Sequence, residues 1–155
     1  MTLAERLAED LKEALKQGEE RRTSTLRLLS SAVHNKELEK RARSGKAEVL
    51  SDEELLEVIR SEAKKRREAE EAFRNGGRED LAEKEAAERE ILKSYLPAEL
   101  SEEEVKRRIE GVIRRLGASS KADMGRVMGE AMKELKGQAE GGMVRQVVEA
   151  LLQRE

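Results

Sequence analysis

The residues with the most chemical potential lie close together near the C-terminus, in "MGRVMGEAMKELKGQAEGGMV" (Met124 to Val144). This stretch holds five of the eleven glycines and four of the five methionines. On a helical wheel with Gly125 at zero, Gly125, Gly129, Met132 and Lys136 fall within roughly 40° of zero, with Lys133 and Arg126 beside them at roughly 80° and 100°. Glu130 and Glu134 fall on the far side, and Met124, Val127, Met128, Ala131 and Leu135 form a separate apolar stripe. Three cations therefore border a line where missing side chains expose helix backbone. Each glycine costs a helix about 1 kcal/mol relative to alanine, so the pattern asks for a use. Two uses fit: a second helix approaching closely over Gly125-x-x-x-Gly129, or a sugar–phosphate backbone lying on the strip with Arg126, Lys133 and Lys136 on phosphates. Gly137, Gly141 and Gly142 are expected around the turn that follows, where N–H groups opening the last helix add anion contacts.

Catalytic groups are scarce. There is no cysteine, hence no disulfide, thiol nucleophile or cysteine-based zinc site. His34 is the only histidine and "AVHNKELE" places no second ligand at helical spacing, so it reads as a surface or packing residue. No P-loop, dinucleotide fingerprint or nucleophile elbow is present. The expectation is a protein that is not an enzyme, with no catalytic residue, metal or cofactor. The run "KKRR" (Lys64 to Arg67) pairs on paper with Glu68 and Glu71 at i,i+4 and reads as a solvated, self-neutralising face. Phe73 and Tyr95 are the only aromatic residues, too few for a stacking platform for unpaired bases.

The elements that position these residues are helices. Charged residues make up 43% of the 155, aromatics 1%, and there is one proline, which points to an all-α protein. With 32 basic and 34 acidic residues there is no global field to attract a polyanion, so any such surface is local. No apolar run is long enough for a membrane span, and the acid-rich N-terminus lacks a signal-peptide core; the expected compartment is the cytoplasm. The charge content and the excess of arginine over lysine resemble a thermophile's composition.

Capping boxes at Thr2/Glu5 and Ser51/Glu54 predict two helix starts. The first helix buries Leu3, Leu7, Leu11, Ala14 and Leu15 and ends near Gly18. The second, from about 19 to 43, buries Leu26, Leu29 and Val33, widened by Leu28 and Ala32, and leads into a loop around Gly45. The third carries Leu55, Leu56, Ile59 and Ala63 as far as Phe73, where "NGG" stops it. The fourth runs from about 78 to 95. Pro97 disfavours a helical Leu96 and marks a boundary between an N-terminal helical domain, 1–96, and a C-terminal three-helix domain, 97–155. In the latter, Ser101/Glu104 and Ser120/Asp123 cap two helices, closed by Gly117 and Gly137, and Val144, Val147, Val148, Leu151 and Leu152 mark the last. There is no internal repeat.

"LPAELSEEEV", "GASSKADMGRVMGEAMKELKG" and "AEGGMV" together resemble the signature of the YqeY-like proteins, whose domain also forms the C-terminal tail of the B subunit of the tRNA-dependent amidotransferase. "RTSTLRLLSSAVHNKELE", "LSDEELLEVI" and "GGREDLAEKEAAE" extend the resemblance through the N-terminal half. The family usually has Asp where this chain has Glu140, and often a basic residue where it has Gln138, which weakens the case for that turn as an anion site by itself. The resemblance implies two helical parts and a tRNA-related role. Amidotransferase activity is not implied, because the catalytic parts of that subunit lie outside the similar region. The leading expectation is a non-catalytic accessory protein that binds folded tRNA through Arg126, Lys133 and Lys136, with Gly125, Gly129, Gly137 and Gly141 permitting close approach. The alternative is an adaptor that docks on an aminoacyl-tRNA synthetase or amidotransferase through Met132 and Met143.

Overall fold

A computed structural model describes residues 1–46 and 48–153. Among these there are seven α-helices, one short 3-10 turn and no strand, as the all-α reading expects. The chain divides into two compact units, Met1–Leu96 and Pro97–Glu155. The expected loop around Gly45 includes Ala47, which lies outside the described residues.

In the first unit, α1 (Leu3–Gln17) opens on its capping box: Glu5 N donates to Thr2 Oγ1 at 3.2 Å and Thr2 N to Glu5 Oε2 at 2.9 Å. Leu3, Leu7 and Leu11 pack against a core of Leu26, Leu29, Leu55, Ile59, Leu92 and Tyr95. Leu15 is 49% exposed rather than buried. It sits roughly 90° around the helix from the line of Leu3, Leu7, Leu11 and Ala14, which is already enough to turn it outward. The same correction applies in α2 (Glu20–Ser44), where Leu28 is half exposed because it lies well over 90° from the Leu26–Leu29–Val33 face.

α3 (Asp52–Asn75) opens on the Ser51/Glu54 box and forms a hairpin with α4 (Glu79–Lys93). Glu54 also takes Lys40 Nζ at 2.8 Å, and these contacts, the Lys40 bond foremost, hold its carboxyl down at about 2. Beyond Ala63 the hairpin seam carries ion pairs between the two helices. Arg66 Nη1 meets Glu62 Oε2 at 3.1 Å, Arg66 Nε stands 3.6 Å from Glu88 Oε2, and Arg89 Nη1 meets Glu70 Oε1 at 3.0 Å. The reading of "KKRR" as a solvated face is thereby corrected for Arg66, whose side chain is 12% exposed. Small alanines on both helices bring the backbones close, leaving the long Arg and Glu side chains to fill the seam. Glu85, on the same face of α4, has its carboxyl pushed up, first by burial and then by Glu88.

Tyr95 ties the end of α4 back to the start of the unit. Its buried hydroxyl donates to Asp10 Oδ2 at 2.5 Å, and the Arg6 guanidinium lies 4.6 Å over its ring. Burial, then the Asp10 contact, push the phenol up from 10 to about 12. A phenol held protonated in the fold stabilises it fully below pH 10, and that contribution is lost as pH rises toward 12. Tyr95→Phe is expected to lower stability by about 1–3 kcal/mol at pH 7, the cost of losing a hydrogen bond to a charged, partly buried acceptor. The variant should also lose less stability than wild type between pH 10 and pH 12, measured by urea unfolding.

The second unit packs α5 (Glu102–Leu116), α6 (Met124–Leu135) and α7 (Gly141–Leu152) around an aliphatic core. Val105, Ile109 and Val112 come from α5; Val127, Ala131 and Leu135 from α6; Val144, Val147, Val148 and Leu152 from α7. Leu100 N donates to Gln138 O at 2.7 Å, fastening the segment before α5 to the turn before α7. Ser120 and Asp123 form the expected capping box, on a 3-10 turn, Lys121–Asp123, that leads into α6. The Asp123 carboxylate accepts from Ser119 N at 3.0 Å and Ser120 N at 3.4 Å, and the Ser119 bond leads in pulling its pKa down. Gly137, at φ 78°, makes the left-handed turn after α6. Gly141 and Gly142 are not part of that turn. They form the first turn of α7.

Candidate functional site

Helix α6 carries its apolar stripe inward, and this decides what stands on its other side. Met124 and Met128 pack against the core while Gly125 and Gly129 face outward, both exposed. A Cβ built on either glycine meets no atom within 4 Å. Among the described residues, the close helix packing considered for Gly125-x-x-x-Gly129 is therefore absent. α6 already meets α5 and α7 through the opposite stripe, so no helix of the unit remains to cover the strip.

Arg126, Lys133 and Lys136 are exposed beside the two glycines, as the wheel requires. Arg126 is held by Asp123 at 3.0 Å, one turn back, with 54% of its side chain open to solvent. Lys133 has no ion-pair partner among the described residues. Gly137 adjoins this group at the C-terminal end of α6. Gly141 stands apart from it, in the first turn of α7, where the Met132 Cε lies 3.6 Å from the position a Cβ would take, an ordinary van der Waals contact. Met132 itself is 38% exposed.

The fold also assembles a second basic face, one that the sequence reading does not single out. Arg107, Arg108, Gly111, Arg114 and Arg115 of α5 line one open cleft together with Glu134 of α6. On the α5 wheel the four arginines lie roughly 40° and 60° to either side of Gly111, with the buried Val105, Ile109 and Val112 roughly 100–160° around the helix from it. The sequence does carry a signal: two Arg-Arg pairs seven residues apart bracket a mid-helix glycine. It is obscured by the acids in the same helix, Glu102 to Glu104 and Glu110. Glu102, Glu103 and Glu104 occupy the first turn of α5, and Glu104 stays on the face, paired with Arg107.

The chemistry such a surface supports is anion binding. Among the described residues no group of three His, Asp or Glu could hold a metal ion, and His34 is exposed on α2. No described helix is long and apolar enough to cross a membrane.

Among curated proteins, this chain is 30% identical over 137 residues to "Altered inheritance of mitochondria protein 41, mitochondrial" from Pyrenophora tritici-repentis (strain Pt-1C-BFP). The aligned region covers 86% of this chain and 71% of that protein. The family described as "Yqey-like protein" matches residues 4–152, through both helical units and across every residue of the two basic faces, and the chain belongs to that family.

Proposed function

We propose that this protein is a non-catalytic accessory factor that binds folded RNA, tRNA foremost, through its second unit. The observation that carries the reading is the solvent-facing strip of α6, where Gly125 and Gly129 open onto free space and Arg126, Lys133 and Lys136 border it. Phosphate contacts from such cations position a nucleic acid without reading its sequence. Both aromatic residues of the chain precede Pro97, so the second unit has no ring on which an unpaired base could stack. That favours recognition of shape and backbone over single-stranded sequence. The relationship of the family's domain to amidotransferase tails supports the choice of tRNA. The compartment in this reading is one that contains tRNA, the cytoplasm being the expected one; the name of the Pyrenophora relative assigns that protein to mitochondria.

The adaptor reading draws on the exposure of Met132. Lys133 follows it directly and Lys136 lies one turn on, so Met132 sits within a basic surface rather than an apolar one. Phosphate contact is the better account of this face.

The glycines supply the test. Both occupy helical backbone with no positive φ. Gly125→Ala and Gly129→Ala are each expected to raise the stability of the second unit by about 0.5–1 kcal/mol, because alanine fits the free space and favours the helix. If RNA lies on the strip, the added methyl groups hold the backbone away and tRNA affinity falls severalfold despite the more stable fold. Variants that are more stable and bind tRNA as wild type does would remove the strip from the interface.

A further inference from the structure

The face of α5 is the strongest feature the α6 strip does not account for. Its four arginines sit within about two and a half turns of helix, exposed to solvent. Arg107 is paired with Glu104, and Arg115 reaches across to Glu134 on α6. Arg108 and Arg114 have no ion-pair partner among the described residues. The helix dipole favours cations in the last turn, which accounts for Arg114 and Arg115 but not for Arg107 and Arg108 near mid-helix. Gly111, at the centre of the group, again has nothing within 4 Å of where a Cβ would stand. A mid-helix glycine in open space weakens α5 and leaves its backbone approachable, as on α6.

Resting on the RNA-binding reading above, we propose that the α5 face over Gly111 is a second phosphate-binding surface of the same RNA site. Arg108 and Arg114 bind phosphates directly, and Glu134 holds Arg115 in the free protein and yields it to RNA. The arginine fork matches phosphate oxygens in a two-bond geometry that lysine cannot reproduce. Glu134 lines the α5 cleft, and Lys133, the residue before it, lies about 100° around α6, between that cleft and the glycine strip. Two adjoining cationic faces on neighbouring helices suit an extended polyanion better than a single small anion. An acidic protein segment is the competing occupant. The arginine fork fits carboxylate as well as phosphate; the open space over the central glycine of each face, and the α6 strip read as part of the same RNA site, favour phosphodiester.

The test uses the full chain, unfractionated deacylated tRNA and a polyglutamate peptide, with binding followed by fluorescence anisotropy across a salt series. Arg108→Gln/Arg114→Gln is expected to weaken tRNA binding at least about tenfold, as the loss of charge-assisted hydrogen bonds implies. The log–log salt slope should fall by about 1.4–1.8, two phosphate contacts at roughly 0.7–0.9 each. Arg108→Lys/Arg114→Lys should keep the slope and lose part of the affinity. Glu134→Gln should bind tRNA several times more tightly with a steeper slope, since it frees Arg115 and removes a repelling carboxylate. Unchanged affinity and slope in the Arg-to-Gln variant, with Lys133→Glu still weakening binding, overturns the α5 surface and leaves the RNA reading standing. Polyglutamate binding as tight as tRNA binding, lost with Arg108 and Arg114, assigns the face to an acidic protein instead. Weaker tRNA binding by a folded Glu134→Gln variant overturns the role of Glu134. A wild type that binds no tRNA ends both readings.

Discussion

Lys133→Glu combined with Lys136→Glu is expected to reduce tRNA affinity roughly a hundredfold or more, because two charge-assisted hydrogen bonds to phosphate give way to two repulsions. The wild type should bind with an affinity that falls steeply with salt, and the double reversal should flatten the log–log slope by at least about 1.4. The fold tolerates the change, because both side chains are exposed and the core-facing positions of α6 are untouched. Two acids near the C-terminus of α6 oppose the helix dipole, at about 0.3–1 kcal/mol each, which circular dichroism and thermal melting will register as a modest shift. A useful contrast is Arg145, an exposed cation on α7 paired with Glu149 at 3.4 Å and outside both basic faces. Arg145→Glu should leave binding nearly unchanged. The overall charge is close to balanced, so there is no general attraction that would make every reversal equally damaging. Wild-type binding that is absent at micromolar protein, or insensitive to salt, defeats the RNA reading.

How much of this is legible in the sequence depends on the range of the interaction. The capping boxes at Thr2/Glu5 and Ser51/Glu54 involve side chains three residues apart, so the pattern and the bond are nearly the same statement. The wheel likewise identifies which residues of α6 share a face. It cannot say what stands opposite that face, since this depends on how α5 and α7 occupy the other sides. Leu15 and Leu28 show a related limit: an apolar residue at the edge of a stripe is buried only if a neighbour wraps far enough to cover it. Sequence order groups Gly141 with Gly137 as a turn residue, yet it opens α7 and stands beside Met132, a contact made through tertiary structure. The arginines of α5 are legible by spacing, but Glu102–Glu104 and Glu110 all offer partners on paper, and only the fold shows that Glu104 takes Arg107.

The buried charges of the α3–α4 hairpin are the least legible feature, and they lead to the largest expected change in stability. In sequence, Glu62, Arg66, Glu70 and Glu88 look like surface residues of mixed-charge helices. In the fold Arg66 is 12% exposed and Glu88 6%, with Glu62 accompanying them. Arg66 Nη1 also donates to the backbone O of Glu62 at 3.2 Å, but its buried Nε has no hydrogen-bond partner. Arg66→Ala leaves Glu62 and Glu88 buried without their shared cation and opens space at the seam. It is expected to destabilise the first unit by about 3–5 kcal/mol, the usual result of removing one partner from a buried pair. Replacing all three at once, Glu62→Leu, Arg66→Met and Glu88→Leu, removes the buried charges along with their attraction. That variant is expected to recover most of the loss and to equal or exceed wild type by up to about 4 kcal/mol. Urea unfolding should assign the change to the transition of the first unit alone, because the core of Val105, Val127 and Val144 belongs to the second. If the triple variant is as unstable as Arg66→Ala, the seam requires the ion pairs themselves rather than merely filled volume.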